Sequence, residues 1–211
     1  MEKQPQHIKH TPLAKPGWEN TIPQINGLIL AGGKSTRMGV DKSEMDYHGV
    51  PQSDYLFQLL KAFVSTVYLS YRPDYIPETH YQVIKDTFLD LGPYGAVLSA
   101  FRFNPNSAWL AVACDIPMLD ESMLELLIRQ RDPDKIATCF HDPATGFPEP
   151  LITIWEPRAY PVLLQWLGEG NSCLRKILIN TDCKIIHTDR PEVLRNANTP
   201  EESQILKGLL H

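Results

Sequence analysis

The chain has 211 residues, of which 43% are hydrophobic and 21% are charged, and its formal net charge is −5. This length and composition suit one globular domain, and the negative charge excludes a broad basic surface for nucleic acid or for an anionic membrane. No apolar run approaches the roughly 20 residues that a transmembrane helix needs. We therefore expect a protein that binds neither nucleic acid nor membrane and that holds any phosphate locally.

Residues 1–24 are polar and rich in proline, and they show neither helical nor strand periodicity. We predict an extended or disordered N-terminal arm here, followed by one domain over residues 25–211. His7 and His10 could bind a metal, but a solvated tail is the preferred interpretation. The arm has no hydrophobic core of a secretory signal, so the cytoplasm is the expected location.

From Ile25 onward, seven short apolar runs predicted as strands alternate with six segments predicted as helices. This alternation is typical of an α/β sandwich around a mainly parallel sheet. Ligands of such sheets gather at the carboxyl ends of the strands, so we expect the chemistry just after Ala31 and Ala113. The predicted strands are Ile25–Ala31, Thr66–Tyr71, Tyr81–Lys85, Ala108–Ala113, Lys135–Phe140, Leu151–Trp155 and Lys184–Thr188; the predicted helices are Gln52–Val64, Pro93–Phe103, Asp120–Arg129, Ala159–Leu167, Cys173–Ile179 and Pro200–Leu210.

The four cysteines form no C-x-x-C pair and no cysteine–histidine cluster at zinc spacing. We expect reduced packing residues rather than disulfides or metal ligands. They are Cys114, Cys139, Cys173 and Cys183.

The stretch LAGGKSTRMGVDK, residues 30–42, follows the first strand and combines three glycines with three cations. Glycines let successive backbone N–H groups point at a phosphate, and the cations neutralise its charge. The GKS within it is not a Walker A motif, because Leu28 stands where that motif requires glycine. A flexible charged turn is the alternative, but it does not explain the clustering after a buried strand, so we favour a phosphate-binding loop.

This stretch resembles the signature L-A-G-G-x-[ST]-x-R-M-G-x-D-K of small nucleotidyltransferases, and most closely that of the molybdenum cofactor guanylyltransferases. The resemblance runs from Asn26 to Glu202 and implies a three-layer α/β/α sandwich of the Rossmann-like nucleotidyltransferase type. It implies that Leu30, Ala31 and Gly32 meet the guanine and ribose, and that the loop from Gly33 wraps the triphosphate. It also places Arg37 and Lys42 on the phosphates.

Asp115 follows the strongest strand in the segment Cys114–Pro117. An aspartate at a strand end can hold Mg²⁺ that bridges triphosphate oxygens, although a turn or cap aspartate is the alternative. The segment resembles the family's C-D-x-P metal motif, which implies that Asp115 contacts both Mg²⁺ and nucleotide.

Two further residues are expected at the nucleotide. Asp86 opens a segment that resembles the family motif D-x₅₋₆-G-P-x-x-G, which implies a place beside the nucleotide. Ser70 ends the second strand, where guanylyltransferases often have an asparagine near the base.

Three segments resemble the acceptor side of the family. Gly146–Leu151 is similar to G-x-x-[EH]-P-L, and Asn196–Glu202 is similar to N-x-N-T-P-E-[ED], whose asparagines, here Asn196 and Asn198, lie near the pterin. The stretch Ser172–Arg175, at a predicted helix start, could meet an acceptor phosphate, which makes Arg175 a candidate acceptor-binding residue, with a plain helix cap as the alternative. The resemblance sets these asparagines and the glycine-rich loop at opposite ends of one cleft, with Asp115 between them.

The resemblance implies Mg²⁺-dependent transfer of GMP from GTP to the terminal phosphate of molybdopterin, with release of pyrophosphate. Arg37, Lys42 and Asp115 would then be the catalytic residues. The alternatives are cytidylyl or uridylyl transfer to another phosphorylated cofactor or sugar, and a non-catalytic nucleotide-binding regulator. We expect a monomer or weak homo-oligomer, with molybdenum-insertion or molybdoenzyme-maturation proteins as further partners.

Overall fold

The structure is a computed structural model that describes residues 22–31, 41–72 and 81–210. The predicted arm, with His7 and His10, lies outside the described residues except for its last three residues. Most of the glycine-rich loop lies outside them too, including Gly32, Gly33 and Arg37. The predictions made for these residues remain predictions.

The described residues contain seven strands and six α-helices in nearly the predicted order and extent. In this part of the chain, no helix combines the length and the apolar composition that crossing a bilayer requires. The strands are β1 (Ile25–Leu30), β2 (Val67–Tyr71), β3 (Gln82–Lys85), β4 (Ala108–Ala113), β5 (Ala137–Asp142), β6 (Phe147–Trp155) and β7 (Lys184–Ile186); the helices are α1 (Gln52–Lys61), α2 (Pro93–Phe103), α3 (Glu121–Arg129), α4 (Ala159–Gly168), α5 (Leu174–Asn180) and α6 (Pro200–Leu210), and two 3₁₀ turns cover Lys42–Glu44 and Pro191–Leu194.

The strands form one sheet in the order β3-β2-β1-β4-β6-β5-β7. Strands β1 to β4 run parallel, and β7 runs parallel to β5. Strand β6 is antiparallel to both of its neighbours, β4 and β5. The prediction of a mainly parallel sheet is confirmed, and β6 divides the sheet into a parallel half and a mixed half.

Helices cover both faces of the sheet, because successive strand residues point to opposite sides. Ile29 packs into a core with α1 and α3, whereas Leu28 packs into a core with α2, α4 and α5. Strand β4 is buried along its whole length, as a central strand between two helical layers must be. The predicted three-layer α/β/α sandwich is confirmed.

Strand β6 begins at Phe147, four residues before the predicted start at Leu151. Prolines at 148 and 150 cannot donate to a ladder, which disfavours a strand at these positions. Pairing with β4 begins only at Ile152, so both prolines lie beyond it. On the other side they face a stretch of β5 whose register is irregular. The prolines are therefore tolerated where few ladder hydrogen bonds are required.

Candidate functional site

The parallel strands β1 to β4 end at the same edge of the sheet, and this edge gathers the predicted nucleotide residues. Leu30 is in register with Ser70 on one side and Ala113 on the other. The Ala31 N–H donates to the Ser70 carbonyl at 3.2 Å. The Ser70 hydroxyl donates to Asp86 Oδ1 at 2.5 Å. Residues from three strand ends are thus directly linked.

Asp86 is a half-buried carboxylate with a perturbed affinity for protons. Burial raises its pKa to about 6, and the hydrogen bond from Ser70 partly opposes that rise. The Ser70 hydroxyl is therefore engaged by Asp86. Ser70 is buried and therefore offers little surface to a ligand.

The segment between Asp86 and helix α2 is held tightly. A Cβ atom on Gly95 would lie 2.2 Å from the Phe88 carbonyl oxygen, so only glycine fits there. The Ser99 hydroxyl accepts the Thr87 N–H at 2.8 Å and donates to the Gly95 carbonyl at 2.7 Å. The glycine of this motif thus serves a close backbone approach that fixes the residues beside Asp86.

Lys42 links two segments that are far apart in the sequence. Its Nζ donates to Asp115 Oδ2 at 3.3 Å and to Asn198 Oδ1 at 2.9 Å. One ammonium group therefore contacts both the end of β4 and the segment before α6. The expectation that the glycine-rich loop and the asparagines lie at opposite ends of a cleft is wrong for Lys42 and Asn198.

The reason for this proximity is the course of the chain before α6. The Ala197 N–H donates to the Asp115 carbonyl at 2.7 Å, which holds the segment against the end of β4. Glu202 accepts the N–H groups of Asn198 and Thr199, and Thr199 accepts the Glu202 N–H in return. This capping box starts α6 and fixes the Asn198 backbone.

Asp41 sets the position of Lys42 through the turn that carries it. Its side chain accepts the Ser43 N–H at 3.0 Å and the Ser43 hydroxyl at 2.8 Å, and so caps the 3₁₀ turn Lys42–Glu44. The closing Asp-Lys pair of the loop signature, Asp41 and Lys42, therefore combines a helix cap with a positive charge. Further along the chain, the His48 ring stacks on the Tyr55 ring, with ring centroids 3.6 Å apart.

Asp115 is the best candidate for a metal ligand among the described residues. Burial raises its pKa, and Lys42 opposes that rise. Its Oδ1 atom is buried and has no hydrogen-bond partner within the described ranges. The same holds for Asn196 Oδ1, one residue from the Ala197–Asp115 hydrogen bond. An orphaned carboxylate oxygen fits a hard cation such as Mg²⁺.

A metal here would depend on oxygen ligands from a bound nucleotide. In the part of the chain that is described, no group of three or more histidine, cysteine, aspartate or glutamate side chains could hold a metal ion. A site with one or two protein ligands is what Mg²⁺ commonly has when substrate phosphates complete its shell.

Arg175 lies on α5 and faces Glu149 of β6. Its Nη2 lies 3.6 Å from Glu149 Oε2. Helix α5 begins only one residue earlier, at Leu174, and Cys173 at its N-cap makes no side-chain hydrogen bond. Arg175 is therefore not explained as a helix cap, and its partner Glu149 is a site residue that the sequence interpretation did not single out. The signal for it was the G-x-x-E-P-L segment.

Glu149 is a buried carboxylate. Burial raises its pKa to about 7; the Leu151 N–H and Arg175 oppose the rise, whereas the charges of Asp115 and Asp142 add to it. Glu149 and Asp115 therefore influence each other electrostatically. Strand β6 pairs antiparallel with β4 up to Ile152 and Val112, so Glu149, with Arg175 beside it, lies at the same edge of the sheet as the end of β4.

All four cysteines are free thiols, and none forms a disulfide. Cys114 and Cys139 are buried and Cys183 is partly buried, as expected of packing residues. Cys173 is exposed, so the packing prediction is wrong for that residue.

Comparison with known proteins identifies the family. The model of the MobA-like NTP transferase domain matches residues 27–184. The chain belongs to this family. It is a nucleotidyltransferase, and the family expected from the loop signature is confirmed.

Two curated relatives are named for molybdenum cofactor synthesis. The chain is 35% identical over 201 residues to the molybdenum cofactor biosynthesis bifunctional protein of Synechocystis, covering 92% of this chain and 58% of the relative. It thus spans little more than half of that protein. It is 28% identical to the molybdenum cofactor guanylyltransferase of Pseudomonas putida, covering 88% of this chain and 98% of the relative.

A solved structure shares the fold. It is the molybdopterin-guanine dinucleotide biosynthesis protein A of Archaeoglobus fulgidus, with a TM-score of 0.72, 18% sequence identity and coverage of 88% of this chain and 97% of that one. At this identity the likeness shows the fold alone.

Proposed function

We propose that this nucleotidyltransferase transfers GMP from GTP to the terminal phosphate of molybdopterin and releases pyrophosphate. The observation that carries the proposal is the cluster of Lys42, Asp115 and Asn198, which joins the phosphate-binding loop to the segment before α6. The names of the relatives, molybdenum cofactor guanylyltransferase among them, supply the nucleotide and the acceptor.

The chemistry needs charge neutralisation more than covalent help, because an anionic phosphate attacks an anionic triphosphate. Lys42 brings a positive charge to the end of β4, and Arg37 would add a second from the undescribed part of the loop. The Gly32–Gly33 amides would cradle the phosphates. A phosphate monoester is already ionised near neutral pH, so no general base is required.

Asp115 would hold Mg²⁺ through its unpartnered Oδ1, and Asn196 Oδ1 is a second oxygen available nearby. The metal, when bound, would neutralise charge on the triphosphate oxygens. The role of Asp115 is then to keep one carboxylate oxygen free while Lys42 occupies the other.

The remaining residues divide into two sets. The nucleotide side consists of Leu30, Ala31, Ser70 and Asp86, at the ends of β1, β2 and β3. The acceptor side consists of Glu149, Arg175, Asn196 and Asn198. Lys42 and Asp115 lie between the two sets, and Lys42 contacts the acceptor side directly through Asn198.

We extend the proposal to a cytoplasmic enzyme that acts as a monomer or weak homo-oligomer and passes its product to molybdenum-insertion or molybdoenzyme-maturation proteins. The relatives' names, which refer to molybdenum cofactor synthesis, support this setting.

Calorimetric titration with GTP, CTP, ATP and UTP, each with Mg²⁺, tests the nucleotide, and a transfer assay with molybdopterin tests the acceptor. We expect GTP to bind at least about tenfold more tightly than the others, because a wrong base leaves polar groups of the site unpaired. A preference for CTP would contradict the guanylyl assignment. Nucleotide binding without any transfer would favour the non-catalytic regulator.

A further inference from the structure

Glu149 is a buried charged group on the acceptor side of the site to which the proposed mechanism gives no role of its own. It lies in β6, and its side chain is only 3% exposed. Strand β6 pairs antiparallel with β4 up to the pair Val112 and Ile152. In this register Leu151 is level with Ala113, the last residue of β4, and Glu149 extends past that end to the level of Asp115.

A purely structural role does not account for its charge. Glu149 Oε1 accepts the Leu151 N–H at 2.8 Å, which satisfies the backbone donor that follows Pro150. A neutral glutamine oxygen would serve that donor equally well. A buried carboxylate costs more than a buried amide unless a cation offsets the charge. The neighbouring acids Asp115 and Asp142 increase that cost.

The group that offsets the charge is Arg175. Its Nη2 lies 3.6 Å from Glu149 Oε2, close enough for an ion pair but longer than a hydrogen bond. The Arg175 Nε atom is buried and has no hydrogen-bond partner in the described part of the chain. The guanidinium is therefore held loosely by Glu149, and because the Arg175 side chain is 36% exposed it keeps donors for another anion. Guanidinium donors arranged in a fixed plane suit a phosphate.

We propose that Glu149 is a positioning residue that holds the Arg175 guanidinium towards the phosphate of the acceptor. The proposal rests on the proposed function, since it assigns Arg175 to the acceptor. Glu149 does not touch the acceptor. It restricts the orientations of Arg175, so that less conformational entropy is lost when the phosphate binds.

The test is Glu149→Gln, which keeps an oxygen for the Leu151 N–H and removes the charge. We expect the KM for molybdopterin to rise about tenfold, with little change in kcat or in the Kd for GTP and Mg²⁺. The matched control is Glu156→Gln. Glu156 is fully buried and paired with Arg131 at 2.7 Å, but belongs to a separate ion pair after the end of β6. That variant should lower stability and leave the KM for molybdopterin unchanged.

A double-mutant cycle with Arg175→Gln separates positioning from general damage. If Glu149 acts through Arg175, the double variant binds molybdopterin no worse than Arg175→Gln alone. Additive losses, or an unchanged KM in Glu149→Gln, would overturn the proposal while wild-type transfer remains intact. Absence of GMP transfer by the wild type would instead remove the proposed function and this inference with it.

Discussion

The two halves of the sheet build their parts of the site in different ways. In the parallel half, the candidate residues come within two positions after strand ends, as Ala31, Asp86 and Asp115 do. In the mixed half, Glu149 lies inside an antiparallel strand, and its partner Arg175 lies on a helix packed over the sheet. A parallel half places chemistry by topology, because its strand ends share one edge. The other half depends on which helix packs on which strand.

Lys42 contacts Asp115, which follows β4 of the parallel half, and Asn198 before α6, and the variants below measure how independently the parts of the site act. Each is ordered by the size of the effect that we expect.

Asp115→Asn tests the aspartate that follows β4 and contacts Lys42. The change keeps the shape and removes the charge, so GMP transfer should fall about a thousandfold, the size of effect known for removing one electrostatic contact to a transition state. The melting temperature should hardly change, because the wild-type carboxylate is itself buried at a cost. Steady-state transfer and thermal unfolding check both points. The control is Asp134→Asn, because the side chain of Asp134 is exposed to solvent and the change removes the same charge. Retention of most of the activity would make Asp115 a turn former only.

The pH dependence of stability tests the mixed half through Glu149. Folding raises the pKa of this carboxyl from 4.5 to about 7, so between these values the folded protein keeps a proton that the unfolded chain has released. The free energy of unfolding should therefore fall as pH rises from about 4.5 to 7, by up to about 3 kcal/mol from this residue. Asp86, whose pKa is raised to about 6, contributes in the same direction.

Urea unfolding of the wild type and of Glu149→Gln over this pH range isolates the contribution of Glu149. The free energy of unfolding of the variant should lack that share of the pH dependence. Between pH 4.5 and pH 7 it should therefore fall less than the free energy of unfolding of the wild type. Parallel curves for the two proteins would show that Glu149 titrates near its ordinary pKa.

Asn198→Asp tests whether the two sides are coupled through Lys42. A carboxylate at this position would hold the Lys42 ammonium more strongly and add negative charge beside the triphosphate. We expect acceptor binding to weaken and, in addition, the affinity for GTP to fall about tenfold. Titration with GTP measures the second effect, with Asn106→Asp on an exposed turn as the control. An unchanged GTP affinity would mean that the sides are separate despite the contact.

The sequence predicts the elements of the parallel half of the sheet more accurately than those of the mixed half. The strands β1 to β4 and the helices between them have apolar periodicity and clear ends, and their predicted bounds agree with the structure to within three residues. The start of strand β6 was predicted four residues too late, because two prolines are compatible with a strand only where few ladder hydrogen bonds are required. Pairing of that kind is a property of the assembled sheet.

The sequence by itself determined the fold class, the family and the residues at the strand ends, because these depend on local periodicity and on a contiguous signature. Only the tertiary structure decided that Lys42 contacts Asn198, 156 positions away, and that Glu149 is the partner of Arg175. Such contacts arise when the chain segment before α6 and helix α5 dock against the sheet edge. The sequence carries no local periodicity that encodes them, because each pairs side chains from elements that meet only after the core has packed.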